Sequence, residues 1–306
     1  MKAAALAFLL AASAAAGTLV RGTLEHGGRT RTYAVYVPTA PAKALPIVFV
    51  LHGGGGKGLQ LRSHNAERFD RLADREGFLV VYPDGVDKSW NDGRDNDRPA
   101  ARQHVDDVGF LGALADRLVK NRGGDQRRLY SVGISNGGFM SHALACRDAA
   151  RWAAVAPVAA SLPLEAEASC RPARPVPLLM VNGTEDKLVG WDANEVRLLW
   201  KHMGRKRTVP ETVAAWTALD GCKGEPAHED LPDADPKDGT RWSLSAWRDC
   251  QGGAEVLLYK VDGGGHTWPK GGIYLPRVVG RTSQDVDFEP LVWEFFKRHP
   301  LPEPAK

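Results

Sequence analysis

Short runs of apolar, β-prone residues alternate along the chain with stretches whose apolar positions recur every three or four residues. Residues 18–25 and 31–37 read as a hairpin turned at Gly27-Gly28. Residues 46–51, 78–82, 128–134, 152–158, 176–181 and 255–261 are almost continuously apolar, as strands buried on both faces are. Helical spacing covers 66–75, a segment capped by Asp106 or Asp107 that runs to about Lys120, 136–147, and a closing helix over 286–299 that Pro300 stops. Strands alternating with helices predict an α/β fold, a mostly parallel central sheet with helices on both faces. Two segments stand apart. Residues 87–106 form a polar loop with few apolar residues other than Trp90. Residues 201–250 mix a basic cluster (Lys201, Arg205, Lys206, Arg207), a helical stretch around Trp216 and a Pro/Asp-rich segment. They read as an excursion fastened by Cys222 and Cys250, with the basic cluster as a solvated face.

Residues 1–16 have the form of a secretory signal: Lys2, an apolar run over 3–12, and Ala14-Ala15-Ala16 before Gly17. Removal would leave residues 17–306 as a single domain, secreted or periplasmic. No other apolar run is long enough to span a membrane. The 40 basic and 37 acidic residues leave a formal charge of +3, too even for a protein that binds by neutralising nucleic-acid phosphates. Four cysteines, Cys146, Cys170, Cys222 and Cys250, form an even set that suits two disulfides in an exported chain, with three possible connectivities. Pairing neighbours along the chain closes two loops of moderate length, each stabilising by roughly 3 kcal/mol. None of the spacings is C-x-x-C, which argues against zinc.

Gly133-Ile134-Ser135-Asn136-Gly137 matches G-x-S-x-G between an apolar strand and a helix, the context that this motif requires. A hydroxyl needs a base within reach and a backbone that holds it clear of the sheet. A sharp strand-to-helix turn does this, and glycine at −2 and +2 removes side chains that would collide. The turn also aims the Asn136 N–H at one point, where a developing negative oxygen is stabilised.

Of nine histidines, His266 is the candidate base, because Gly263-Gly264-Gly265-His266-Thr267-Trp268 follows a strand and cannot continue it. The segment ending in Gly183-Thr184-Glu185-Asp186 supplies the acid. Asp186 is preferred because its shorter side chain suits a fixed contact with imidazole, with Glu185 next and Asp192 third. The order Ser135, Asp186, His266 is that of the α/β-hydrolase triad. His52-Gly53-Gly54-Gly55-Gly56 follows the first central strand, so a Gly54 amide, or failing that Gly53, would complete an oxyanion hole with Asn136. His52 would hold this loop by hydrogen bonds.

Gly53, Gly55 and Gly58 also satisfy G-x-G-x-x-G, with Asp84 after the next strand, which raises a dinucleotide-binding oxidoreductase as the rival. A four-glycine run meets many such patterns by accident. Asp84 also lies about thirty positions on, where about twenty is usual. A hydrolase-fold binding protein without activity is the other alternative.

Taken together, Leu51-His52-Gly53-Gly54-Gly55-Gly56, Tyr82-Pro83-Asp84-Gly85, Asp106-Asp107-Val108-Gly109-Phe110, Gly133 through Met140, and Gly264-Gly265-His266-Thr267-Trp268-Pro269 resemble the secreted polyhydroxybutyrate-depolymerase-like esterases. Feruloyl and acetylxylan esterases of the first carbohydrate-esterase family share much of this set. The resemblance implies an α/β-hydrolase fold, Ser135, Asp186 and His266 as triad, and the local disulfides Cys146–Cys170 and Cys222–Cys250. Its acid lies in a Gly-Thr-x-Asp segment, which supports Asp186. Asn182 stands where relatives often carry His, a difference expected to affect packing of the loop. The chain ends soon after its last helix, without the linker and binding domain of enzymes that attack solid polymer, so crystalline polymer is not the expected substrate. No metal or organic cofactor, nucleic acid, membrane or obligate protein partner is expected. Trp90, Trp191 and Trp268, in loops beside the motifs, are candidates for an aromatic wall around the acyl group or sugar.

Overall fold

The computed structural model describes residues 16–39, 44–167, 169–198, 201–273 and 275–303; nearly all of the expected leader lies outside them. Strands β1 (Thr18–His26) and β2 (Arg29–Val37) form the expected hairpin. Gly27 and Gly28 turn it at φ 57° and 70°, a left-handed pair that a two-residue turn demands. The chain continues through β3 (Leu45–Leu51), α1 (Glu67–Glu76), β4 (Leu79–Pro83), α2 (Asp107–Arg122), β5 (Gly124–Ile134), α3 (Asn136–Arg147), β6 (Ala154–Val158) and β7 (Leu178–Gly183). After it come β8 (Glu195–Leu198), β9 (Lys201–Arg205), α4 (Val209–Leu219), β10 (Ala227–Asp230), β11 (Arg241–Trp247), β12 (Val256–Asp262) and α5 (Phe288–Lys297).

Ten strands make one sheet in the order β1-β2-β4-β3-β5-β6-β7-β12-β11-β10. The six from β4 to β12 run parallel, and antiparallel pairs close both edges. β8 and β9 form a separate two-stranded ribbon. Alternate residues of β3 serve opposite faces. Val48 and Val50 join a core containing Phe69 and Leu72 of α1 and Phe288, Val292 and Phe296 of α5. Ile47, Phe49 and Leu51 join another with Phe110 and Leu114 of α2, Met140 and Leu144 of α3, and Trp216 of α4. Both faces are thus covered, which is why the parallel strands are apolar throughout. This is the α/β-hydrolase arrangement.

Residues 201–250 differ from expectation. They hold the sheet's antiparallel edge, in which β11 buries Trp242, Leu244 and Ala246 on one face and turns Ser243 and Ser245 the other way. The disulfides are Cys146–Cys170 and Cys222–Cys250. Asp106 caps α2 by accepting from Gly109 N–H at 2.9 Å.

Candidate active site

Parallel strands end on the same edge of a sheet, so the loops after β3, β5, β7 and β12 share one rim. These four loops carry Gly53 and Gly54, Ser135, Asp186 and His266.

Ser135 joins β5 to α3 with φ 55° and ψ −121°, a conformation that costs a non-glycine residue roughly 1–3 kcal/mol. Two backbone bonds hold it there: its N–H donates to Val158 O at 2.9 Å, and its carbonyl accepts from Phe139 N–H at 2.8 Å. The flanking glycines are sterically required. A Cβ on Gly133 would lie 2.4 Å from Gly137 O, and one on Gly137 would lie 2.2 Å from Leu51 O.

The Asn136 side chain is buried and fully engaged. Its Oδ1 accepts from Trp90 N–H at 2.8 Å, and its Nδ2 donates to Trp90 O at 3.0 Å and Asp92 Oδ2 at 2.6 Å. Asp92 is itself bound by Arg94, whose guanidinium lies 3.8 Å from the centre of the Phe139 ring. The side chain therefore anchors the start of α3 to the 84–106 loop and leaves the main-chain N–H of Asn136 for other work.

His52 has both ring nitrogens committed. Gly85 N–H donates to Nε2 at 2.9 Å, so the proton sits on Nδ1, which donates to Gly53 O at 2.8 Å. Burial pushes its pKa down to about 4, so the ring is neutral and acts as a brace. Gly55 N–H donates to Lys88 O and Gly56 N–H to Gly53 O, which leaves Gly53 and Gly54 as the loop's candidate donors. A Cβ on Gly53 would sit 3.5 Å from Ser135 Cβ, which places this loop directly beside the serine.

His266 Nδ1–H donates to Asp186 Oδ2 at 2.8 Å. The other carboxylate oxygen accepts from Leu188 and Val189 N–H, each at 2.8 Å, so the acid is fixed before it meets the ring. Glu185 and Asp192, the alternatives, are exposed. The two loops interlock through Thr184, whose Oγ1 accepts from Gly263 N–H and donates to Asp262. Glycine permits the approach: a Cβ on Gly183 would meet Gly264 O at 2.2 Å, and one on Gly265 would meet Val279 O at 2.1 Å. Asn182 is buried and donates to Ala160 O, a packing role.

Three expectations need correction. Trp90 is fully buried, with its indole N–H donated to His52 O, and Trp268 is buried against Phe288, with its N–H on Glu289. Neither offers a face to a ligand; both build the site's support. Trp191 is half-buried against the core. Lys206 is not part of a solvated face. It is completely buried, donating to the carbonyls of Gly190, Ala193 and Arg207 and thereby clamping the turn beyond Asp186. Burial lowers its pKa to about 8, opposed chiefly by the charge of Asp186. A single lysine among basic neighbours gave no sign of this. Asp84, the ribose ligand of the dinucleotide reading, is occupied by Gly58 N–H and Thr32 Oγ1, and a Cβ on Gly58 would lie 2.6 Å from Tyr82 O. Gly58 there serves close packing against Tyr82.

Comparison with known proteins agrees with this geometry. The family model described as "Esterase PHB depolymerase" matches residues 31–173. The protein named "Putative esterase NocK" of Nocardia uniformis subsp. tsuyamanensis is 33% identical over 270 residues, 85% of this chain and 77% of that protein. Feruloyl esterase B of Piromyces equi is 30% identical over 73% of this chain, but the match spans only 40% of that protein. The acetyl xylan esterase from Aspergillus awamori superposes with a TM-score of 0.64 over 92% of this chain and 99% of that one, at 14% identity, a likeness of fold.

Proposed function

Because the chain belongs to the PHB-depolymerase family of esterases and is an ester hydrolase of the α/β-hydrolase fold, we propose that Ser135, His266 and Asp186 are its triad. We further propose that it is secreted or periplasmic and acts on hydroxyalkanoate oligomers or on feruloyl and acetyl esters of plant cell walls. The observation that carries the triad is the fixed Asp186–His266 hydrogen bond on the rim where a strained Ser135 also stands. The two disulfides support export.

In this mechanism His266 Nε2 takes the Ser135 proton as Oγ attacks the ester carbonyl, and Asp186 holds the tautomer and stabilises the imidazolium. The amides of Asn136 and Gly54 receive the tetrahedral oxyanion, each donor contributing roughly 3 kcal/mol. His266 returns the proton to the departing alcohol, and water then clears the acyl-enzyme by the same route. Trp191 is the aromatic residue left to contact the acyl or sugar group.

Ser135→Ala should lower 4-nitrophenyl butyrate turnover by at least about 10³-fold and abolish mass-detected labelling by a fluorophosphonate. Near-native turnover in that variant would overturn the assignment. Rates on methyl ferulate, acetylated xylan and hydroxybutyrate oligomers would rank the substrate classes.

A further inference from the structure

The loop over residues 84–106 brings several arginines to the site, and their pairing is unequal. Arg94 is neutralised by Asp92, and Arg31, from β2, by Asp107. Arg98 makes no ion pair among the described residues, and its Nε is buried without a hydrogen-bond partner. Asp95 and Asp97, on the same loop, point into solvent. The Arg98 guanidinium lies on the oxyanion loop. A Cβ built on Gly54 would fall 2.0 Å from its Nη1, 2.2 Å from its Cζ and 2.5 Å from its Nη2, so glycine is what lets the guanidinium lie at this spot.

A half-buried cation without a counter-charge is costly, and a guanidinium is matched in shape to a carboxylate that accepts two hydrogen bonds from it. Burial and the nearby Arg94 charge both act against this cation, with Asp92 only partly compensating. An incoming anion would relieve that imbalance. Its position sets the reach. Since the guanidinium touches the residue proposed to bind the oxyanion, a carboxylate that meets it stands only a few bonds from the scissile carbonyl. Neutral acetyl and feruloyl esters have no such group. An oligomer of a hydroxy acid cut at its carboxyl-terminal ester does.

We infer that Arg98 is a specificity-determining residue that receives the free carboxylate of a short hydroxy-acid oligomer. The inference rests on the hydrolytic reading of Ser135 above and deepens it. The test compares kcat/KM for the hydroxybutyrate dimer as free acid and as methyl ester, in wild type and Arg98→Gln, with 4-nitrophenyl butyrate as a neutral reference. Wild type should favour the free acid, and added salt should erode that preference. Arg98→Gln should lower free-acid kcat/KM by about 10- to 100-fold more than that of either neutral ester, the worth of hydrogen bonds to a charged group, chiefly through KM. Arg98→Lys should restore part of the difference. Equal rates of wild type on acid and methyl ester, or equal losses on all three substrates in Arg98→Gln, would overturn the inference while leaving Ser135 untouched. Should Arg98→Gln fail to fold, the wild-type acid preference and its salt dependence decide alone. A wild type inactive on all three esters would overturn both readings.

Discussion

Ser135 occupies a backbone region that its side chain disfavours, and backbone bonds to Val158 and Phe139 hold it there. Asp186 shows the same economy of position: one oxygen is spent on two backbone amides so that the other faces His266 in a fixed direction. Asp186→Asn should therefore reduce kcat on the order of 10³–10⁴-fold, while Glu185→Gln, at an exposed position, should change it less than about threefold. A severe Glu185 effect beside a mild Asp186 one would reassign the acid. Buried histidines make stability sensitive to acid. His52 is held down to about 4 and His142 to about 3, both by burial, against an ordinary 6.5. Between those values the unfolded chain binds protons that the folded chain does not. The stabilisation is thus complete above about pH 6.5 and declines as pH falls toward 3–4. The urea midpoint should drop across that window, and His142→Gln, which keeps an acceptor for the Trp216 indole N–H, should flatten the drop. An unchanged slope in that variant would mean that His142 is not among the groups acid attacks.

Elements whose character is local were legible before any contact was known. The hairpin turn, the apolar parallel strands, a cap at Asp106 or Asp107 and the strand-turn-helix at Ser135 all follow from residue types at fixed spacing, and the structure puts the cap at Asp106. β11 has a Trp-Ser-Leu-Ser-Ala-Trp alternation that suits an antiparallel strand with one face on the core, a signal set in a segment of mixed character. The surrounding Pro/Asp-rich chain obscures it. Helix α4 begins with a capping box in which Thr208 Oγ1 accepts from Glu211 N–H and Glu211 accepts from Thr208 N–H. Thr208→Ala should cost about 1 kcal/mol in denaturant unfolding, with little effect on ester turnover.

Across the whole molecule, the proposed chemistry sits at the carboxyl ends of the parallel strands, and much of the bracing lies elsewhere. Cys222–Cys250 joins the end of α4 to the segment before β12, at the amino end of that strand and away from His266. The double variant Cys222→Ser with Cys250→Ser should lose roughly 3 kcal/mol of unfolding free energy but retain turnover at 25 °C. A loss of turnover at full folding would show that this end of the sheet bears on the site. The sequence by itself determined the α/β class, the candidate serine, histidine and acid, and their order, because each depends on a motif or a period carried by neighbouring residues. Only the tertiary structure decided which carboxylate bonds the imidazole, that Trp90 and Trp268 are supports, that Lys206 is a buried clamp, and that Arg98 makes no ion pair among the described residues. Burial and pairing depend on residues far apart in the chain, and they are fixed only when the sheet brings its loops to one rim.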